Sequence, residues 1–135
     1  MQKDISDRKR IVIIEDEKYI LDMYAEIMQS SGFQVRTAST GELGLKCIAE
    51  FKPDLIMLDL MLPGIDGMEV LRVVRREAEK YGKPLIIILT NLSNEVMIKD
   101  AFYERADGYL MKTELTPEQV VNEVKGFFTN AAKAQ

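Results

Sequence analysis

The sequence predicts an α/β domain, a five-stranded parallel sheet with helices on both faces. Three observations lead to it. Residues 11–14 (IVII), 55–58 (LIML) and 85–89 (LIIIL) are continuous apolar runs rather than alternating ones, as in central strands buried on both faces. Helical stripes of apolar residues separate them. Acidic, hydroxyl and basic side chains follow these runs at their carboxyl ends.

The elements follow in order. After the strand at 11–14, Ile20, Tyr24, Ile27 and Met28 form a helical stripe. A weaker strand covers 34–37. Leu43, Cys47, Ile48 and Phe51 form the second stripe, entered through Ser39-Thr40-Gly41-Glu42, the spacing of a capping box. The strand at 55–58 leads to Met68, Leu71, Val74 and Ala78, and the strand at 85–89 to a shorter stripe of Ile98, Ala101 and Phe102 after Ser93. A last short strand spans 109–111. The final helix opens on Thr116-Pro117-Glu118-Gln119, with an N-cap hydroxyl, proline at the first helical position and glutamine at the third, and buries Val120, Val121, Val124, Phe127 and Phe128. Strand and helix thus alternate five times, as crossover helices on a parallel sheet require. Residues 1–10 read as a polar leader, 11–130 as one domain and 131–135 as a tail.

The composition narrows the function. The chain has 135 residues, with 18 Lys and Arg against 22 Asp and Glu, a net charge of −4 that supplies no basic footprint for direct nucleic-acid binding. Arg8-Lys9-Arg10 reads as solvated surface. No run approaches the roughly 18 apolar residues of a membrane span, and residues 1–10 hold no apolar signal-peptide core, so a cytoplasmic protein without membrane contact is expected. The single cysteine, Cys47, sits at helical spacing between Leu43 and Phe51 and reads as a core thiol. Histidine is absent, which excludes a Ser-His-Asp triad, a histidine zinc site and a phosphohistidine within this chain.

Chemistry gathers at one edge of the sheet. Glu15 and Asp16 follow the first strand, Asp59 the third, Thr90 the fourth and Lys112 the fifth. Open α/β sheets bind ligands at the carboxyl ends of strands, where strand order reverses. With order 2-1-3-4-5, strands one and three are neighbours, so Glu15, Asp16 and Asp59 converge. Three carboxylates and one lysine leave the crevice about two charges negative, which a hard divalent cation with oxygen ligands relieves; Mg²⁺ takes few carboxylates, several waters and a phosphate oxygen. Lys112 and the Thr90 hydroxyl then suit the phosphate side. Singly, each residue is an ordinary cap, loop or surface group; the joint placement carries the inference.

Residues 11–17 (IVIIEDE), 54–67 (DLIMLDLMLPGIDG), Leu89-Thr90 and 107–112 (DGYLMK) resemble the signature segments of response-regulator receiver domains, chemotaxis-receiver-like modules of two-component signalling. The resemblance runs from about Ile11 to Phe128. It implies a flavodoxin-like receiver fold and a phosphoprotein in a two-component or phosphorelay system. Asp59 would be the phosphoacceptor that becomes aspartyl phosphate. Asp16 would hold Mg²⁺ directly (Mn²⁺ as a substitute), Glu15 mainly through water, and Met61 by its backbone carbonyl. Thr90 and Lys112 would bind the phosphoryl oxygens, and Tyr109 would be the switch aromatic that swings inward as Thr90 moves. The implied donor is a sensor histidine kinase or phosphotransfer protein. The signal would leave through the fourth helix, fifth strand and fifth helix, with Met97 and Tyr103 exposed, toward a downstream protein, an output domain outside this sequence, or a second copy in a homodimer. Such a domain catalyses only its own phosphorylation and dephosphorylation and is not a turnover enzyme.

Three positions depart from the family pattern. Thr113 stands where proline is usual, often after a cis bond; cis before a non-proline residue costs roughly 2.5–4 kcal/mol, leaving a trans bond or a strained loop. Asn91 replaces a small residue and narrows access to Asp59, and Arg105 replaces a glycine before the last strand. Two rival readings are weaker. A haloacid-dehalogenase-like phosphatase needs an acid two residues after its nucleophile, where this chain has Met61. A pseudo-receiver, serving as a phosphorylation-independent interaction module, would lack an aspartate or the lysine, and none is lacking here. Met61 and Leu92, both apolar and unable to orient a hydrolytic water, together with the bulk of Asn91, predict a long-lived phosphoryl group.

Overall fold

The computed structural model describes residues 9–91 and 95–133. Five parallel strands, β1 (Arg10–Ile14), β2 (Gln34–Ala38), β3 (Leu55–Asp59), β4 (Leu85–Thr90) and β5 (Gly108–Met111), form one sheet in the order β2-β1-β3-β4-β5. Among the described residues six helices connect and flank them: α1 (Lys18–Ser30), α2 (Gly41–Phe51), α3 (Gly67–Arg76), α4 (Ala78–Tyr81), α5 (Glu95–Tyr103) and α6 (Pro117–Lys133). The predicted fold class and strand order hold.

Continuous apolar strands bury both faces because neighbouring side chains point opposite ways. Val12, Ile14, Ile56, Leu58, Ile86 and Ile88 enter one core with Ile48, Val70, Leu71, Val74 and Ala101. Ile11, Ile13, Leu55, Met57, Ile87 and Leu89 enter the other with Leu21, Tyr24, Met28, Val120, Val121, Val124 and Phe128. Thus α2, α3 and α5 cover one face, α1 and α6 the other.

Several helix faces differ from the predicted stripes. Leu43 is 53% exposed, because α2 turns Gly41, Gly44 and Ile48 inward instead. A Cβ on Gly44 would lie 2.4 Å from Ile14 Cδ1; glycine lets the helix sit that close, and apolar counting cannot see it. Thr40 is the N-cap, accepting from Leu43 N. Glu42 therefore misses the reciprocal position of a capping box and accepts instead from Ile65 N. The third stripe breaks at Glu77, so Ala78 opens the separate turn α4. Met97 is partly buried against the core rather than exposed, whereas Tyr103 is exposed. Cys47 is half-buried, and burial raises its thiol pKa. Ser93 and residues 1–8 lie outside the described residues.

The last helix matches its sequence signals. Thr116 N donates to Gln119 Oε1 at 2.8 Å and Gln119 N to Thr116 Oγ1 at 3.1 Å, a reciprocal box. The helix continues to Lys133, through part of the predicted tail. At the opposite end of β5, Arg105 adopts φ 71, a left-handed conformation in which glycine avoids a Cβ penalty. Arg105 stays there with its carbonyl accepting from Arg75 Nε and its own guanidinium donating to Arg75 O. Arg75 also donates to Pro84 O and Asp107 Oδ2, tying α3 to the starts of β4 and β5. The described peptide bonds are trans, including Lys112–Thr113.

Gly126 lies inside α6, and a Cβ there would meet nothing within 4 Å. Glycine in a helix interior costs roughly 0.5–1 kcal/mol relative to alanine. Gly126→Ala should therefore stabilise the protein by about that amount in urea unfolding; a lower midpoint at unchanged slope contradicts the reading of this site as open space.

Candidate functional site

The register of the sheet assembles the site. Ile14 pairs with Leu58, so Glu15 and Asp59 emerge side by side from adjacent strands. Glu15 N continues the ladder to Ala38 O at 3.1 Å, and Lys112 N continues the β4–β5 ladder to Thr90 O at 2.8 Å. β4 lies between β3 and β5, so the Lys112 side chain must pass its end to reach the carboxylates.

It does so. Lys112 Nζ lies 2.9 Å from Asp59 Oδ2 and 2.6 Å from Glu15 Oε2, with all three side chains buried. The lysine thus faces two carboxylates. Asp59 Oδ1 accepts from Met61 N at 2.9 Å, and Glu15 Oε1 from Glu17 N at 3.2 Å. Glu15 Oε2 meets the ammonium as an ion pair. Asp16 is exposed beside them, and ligand oxygens of Glu15, Asp16 and Asp59 lie within 4.8 Å of one another. Three hard oxygen donors at that spacing fit a divalent cation such as Mg²⁺.

Burial sets the charge states. It pushes the Glu15 carboxyl up to about 7, with Asp59 adding to the rise and Lys112 and Glu17 N opposing it. Burial also disfavours the Lys112 ammonium, but Glu15 and Asp59 outweigh it and raise its pKa. Tyr24, read from sequence only as a core residue, is within electrostatic reach of Lys112, Glu15 and Asp59, and its hydroxyl pKa is raised chiefly by burial. No stripe count distinguishes such a tyrosine from packing.

The loop after Asp59 folds back tightly. Gly67 N donates to Leu60 O, and a Cβ on Gly67 would lie 2.2 Å from Asp59 O; only glycine fits. Asp66 caps α3 by accepting from Glu69 N. The start of this loop also borders open space: Asp59, Leu60, Met61, Leu89, Thr90, Asn91 and Met97 line a cavity of about 330 Å³. Met61 and Asn91 thus share this lining with Asp59, while Leu92 lies outside the described residues. Tyr109 is 44% exposed, its ring edge-on to Phe102 at 6.4 Å. Together with Val96, Ile98 and Lys99 these rings line a larger cleft, about 470 Å³, on α5 and β5. Glu95 also lines that cleft, whereas the acidic cluster of Glu15, Asp16 and Asp59 touches the smaller cavity through Asp59.

The model of the response regulator receiver domain matches residues 11–125. The chain belongs to this family. Among its relatives, the DNA-binding response regulator MtrA of Mycolicibacterium paratuberculosis is 33% identical over 118 residues, 87% of this chain and 50% of that protein. The transcriptional regulatory protein AfsQ1 of Streptomyces coelicolor is 39% identical over 102 residues, 76% of this chain and 44% of that protein. The chain spans about half the length of these curated relatives. Among solved structures, a CheY-like receiver domain protein of Methanospirillum hungatei superposes with TM-score 0.83 at 25% identity, covering 96% of this chain and 100% of the other. The BeF3-activated DrrB receiver domain gives TM-score 0.77 at 30% identity, covering 90% and 98%. No helix among the described residues of this receiver domain is long and apolar enough to cross a membrane.

The raised Glu15 pKa predicts a pH dependence for the metal-free domain. A carboxyl whose folded pKa exceeds its unfolded value contributes stability that is fully present below the unfolded pKa of 4.5 and is lost as pH rises through about 7. In chelator, wild type should therefore lose stability between pH 5 and 7.5 relative to Glu15→Gln, by roughly 1–3 kcal/mol. Parallel stability curves from urea unfolding would show that burial does not strain this carboxylate.

Proposed function

We propose that Asp59 is the phosphoacceptor of this receiver domain and takes its phosphoryl group in a Mg²⁺-dependent reaction. The observation that supports this most directly is the buried contact of Lys112 with Asp59, set beside two further carboxylates. Asp16, Asp59 and the Met61 carbonyl would hold the cation, with Glu15 acting from the buried side. Bound there, Mg²⁺ supplies charge neutralisation for an incoming phosphoryl group. The residues do the rest. Met61 N and Lys112 Nζ each hold one oxygen of Asp59, fixing the carboxylate's orientation. Lys112 then neutralises phosphoryl oxygens, and Thr90, at the mouth of the cavity, offers its hydroxyl to another. Positioning and electrostatics carry most of such a transfer.

The output in this reading is a population shift. A phosphoryl group that binds Thr90 and Lys112 in one loop arrangement better than another moves the equilibrium of the α5–β5 face, and Tyr109 reports it by turning inward. The donor is a histidine kinase or phosphotransfer protein. The recipient is a downstream protein, an output domain or a second copy engaging the α5–β5–α6 face, where Val96, Phe102, Tyr103 and Tyr109 are exposed. The domain acts on itself alone, in the cytoplasm, and is not a turnover enzyme. A pseudo-receiver that binds without phosphate is the alternative, and the complete acidic cluster with its lysine argues against it.

Acetyl phosphate with Mg²⁺ should label wild type, and Asp59→Asn should abolish the label; full labelling of the variant would overturn the assignment. Mg²⁺ at ten times its dissociation constant should raise unfolding stability by about 1.4 kcal/mol through mass action, and Asp16→Ala should remove most of that gain. A melting temperature indifferent to millimolar Mg²⁺ counts against the metal site.

A further inference from the structure

Met61 combines three properties. At 72% exposure it is the most open of the described methionines; Met23 follows at 40%, and Met28 and Met57 are fully buried. Its backbone N–H holds Asp59 Oδ1 at 2.9 Å. It also lines the 330 Å³ cavity together with Asp59, Thr90, Asn91 and Met97. A thioether there is apolar and a poor hydrogen-bond partner. Oxidation turns it into a polar sulfoxide whose oxygen accepts hydrogen bonds, and exposure decides which methionine is oxidised first.

We propose that Met61 is a redox-modification site through which peroxide shortens the life of the phosphoryl group on Asp59. The inference rests on the phosphoacceptor reading above. The sulfur lone pair attacks one oxygen of hydrogen peroxide, and the S–O bond forms as the O–O bond breaks. The sulfur gives up two electrons, and the other oxygen leaves as hydroxide, which takes the proton from the new S–OH and departs as water. The sulfoxide oxygen then stands at the rim of the cavity beside Asp59. It can hold a water there for attack on phosphorus, which the thioether cannot do. Sulfoxide reductases restore the thioether, so the device is reversible. Its logic is additive to the kinase input: the kinase loads Asp59, and the oxidant sets how long the load persists.

The experiment uses the whole chain, phosphorylated from acetyl phosphate and Mg²⁺ with and without prior hydrogen peroxide, with oxidised positions mapped by peptide mass spectrometry. Met61 should gain one oxygen before Met23 does. The oxidised protein should lose its phosphate about threefold to tenfold faster, the range for one added water contact of roughly 0.7–1.4 kcal/mol at the transition state. Met61→Leu should lose phosphate at a rate that peroxide does not change. Met61→Gln, a permanent acceptor, should decay faster than Met61→Leu without any oxidant. An unchanged lifetime in protein fully oxidised at Met61, or an equal peroxide effect in Met61→Leu, overturns this inference alone. Failure of every form to take label overturns the phosphoacceptor reading and this inference with it.

Discussion

The structure of the site depends on one buried contact, the Lys112 ammonium held between Glu15 and Asp59. Two carboxylates placed side by side by the β1–β3 register would repel each other in a medium of low polarity, and a lone buried lysine would be as costly. Together they are tolerable, and the residual negative charge is what invites a cation. Everything around the trio serves to place it. β1 and β3 bring the acids level, β4 spaces the lysine at a fixed distance, and β5 ends where its side chain can cross. Removing the lysine would leave two buried carboxylates facing each other without a counter-charge, whereas removing either acid would leave a neutral pair.

Much of this was legible in the sequence because the strongest signals are local. The runs at 11–14, 55–58 and 85–89 are too continuous for one-sided strands, and the strands observed over them are buried on both faces. The Thr116 to Gln119 box appears atom for atom. Once the parallel order was assumed, the convergence of Glu15, Asp16 and Asp59 followed from their positions at strand ends, and the cluster is there.

What escaped was determined by neighbours distant in sequence. Helix α2 turns its glycine face to Ile14, so Leu43 points outward despite its place in an apolar stripe. The break at Glu77 carries no proline or glycine of its own to announce it. Tyr24 looks like packing in a helical pattern and becomes electrostatic only when Lys112, over eighty residues later, arrives beside it. Arg105 shows the converse. Its departure from glycine was visible, but the positive φ it tolerates, and the Arg75 bonds that hold it, belong to tertiary structure.

The close approach at Gly67 gives the site a mechanical asymmetry. On the α3 side, the main chain of Asp59 and Leu60 rests against the first turn of the helix with no room for a methyl group. On the β4 side lies a cavity of about 330 Å³ bounded by the side chains of Thr90, Asn91 and Met97. Close-packed interiors have low compressibility and transmit strain. The packing around Asp59 is therefore tight toward α3 and roomier toward β4 and α5.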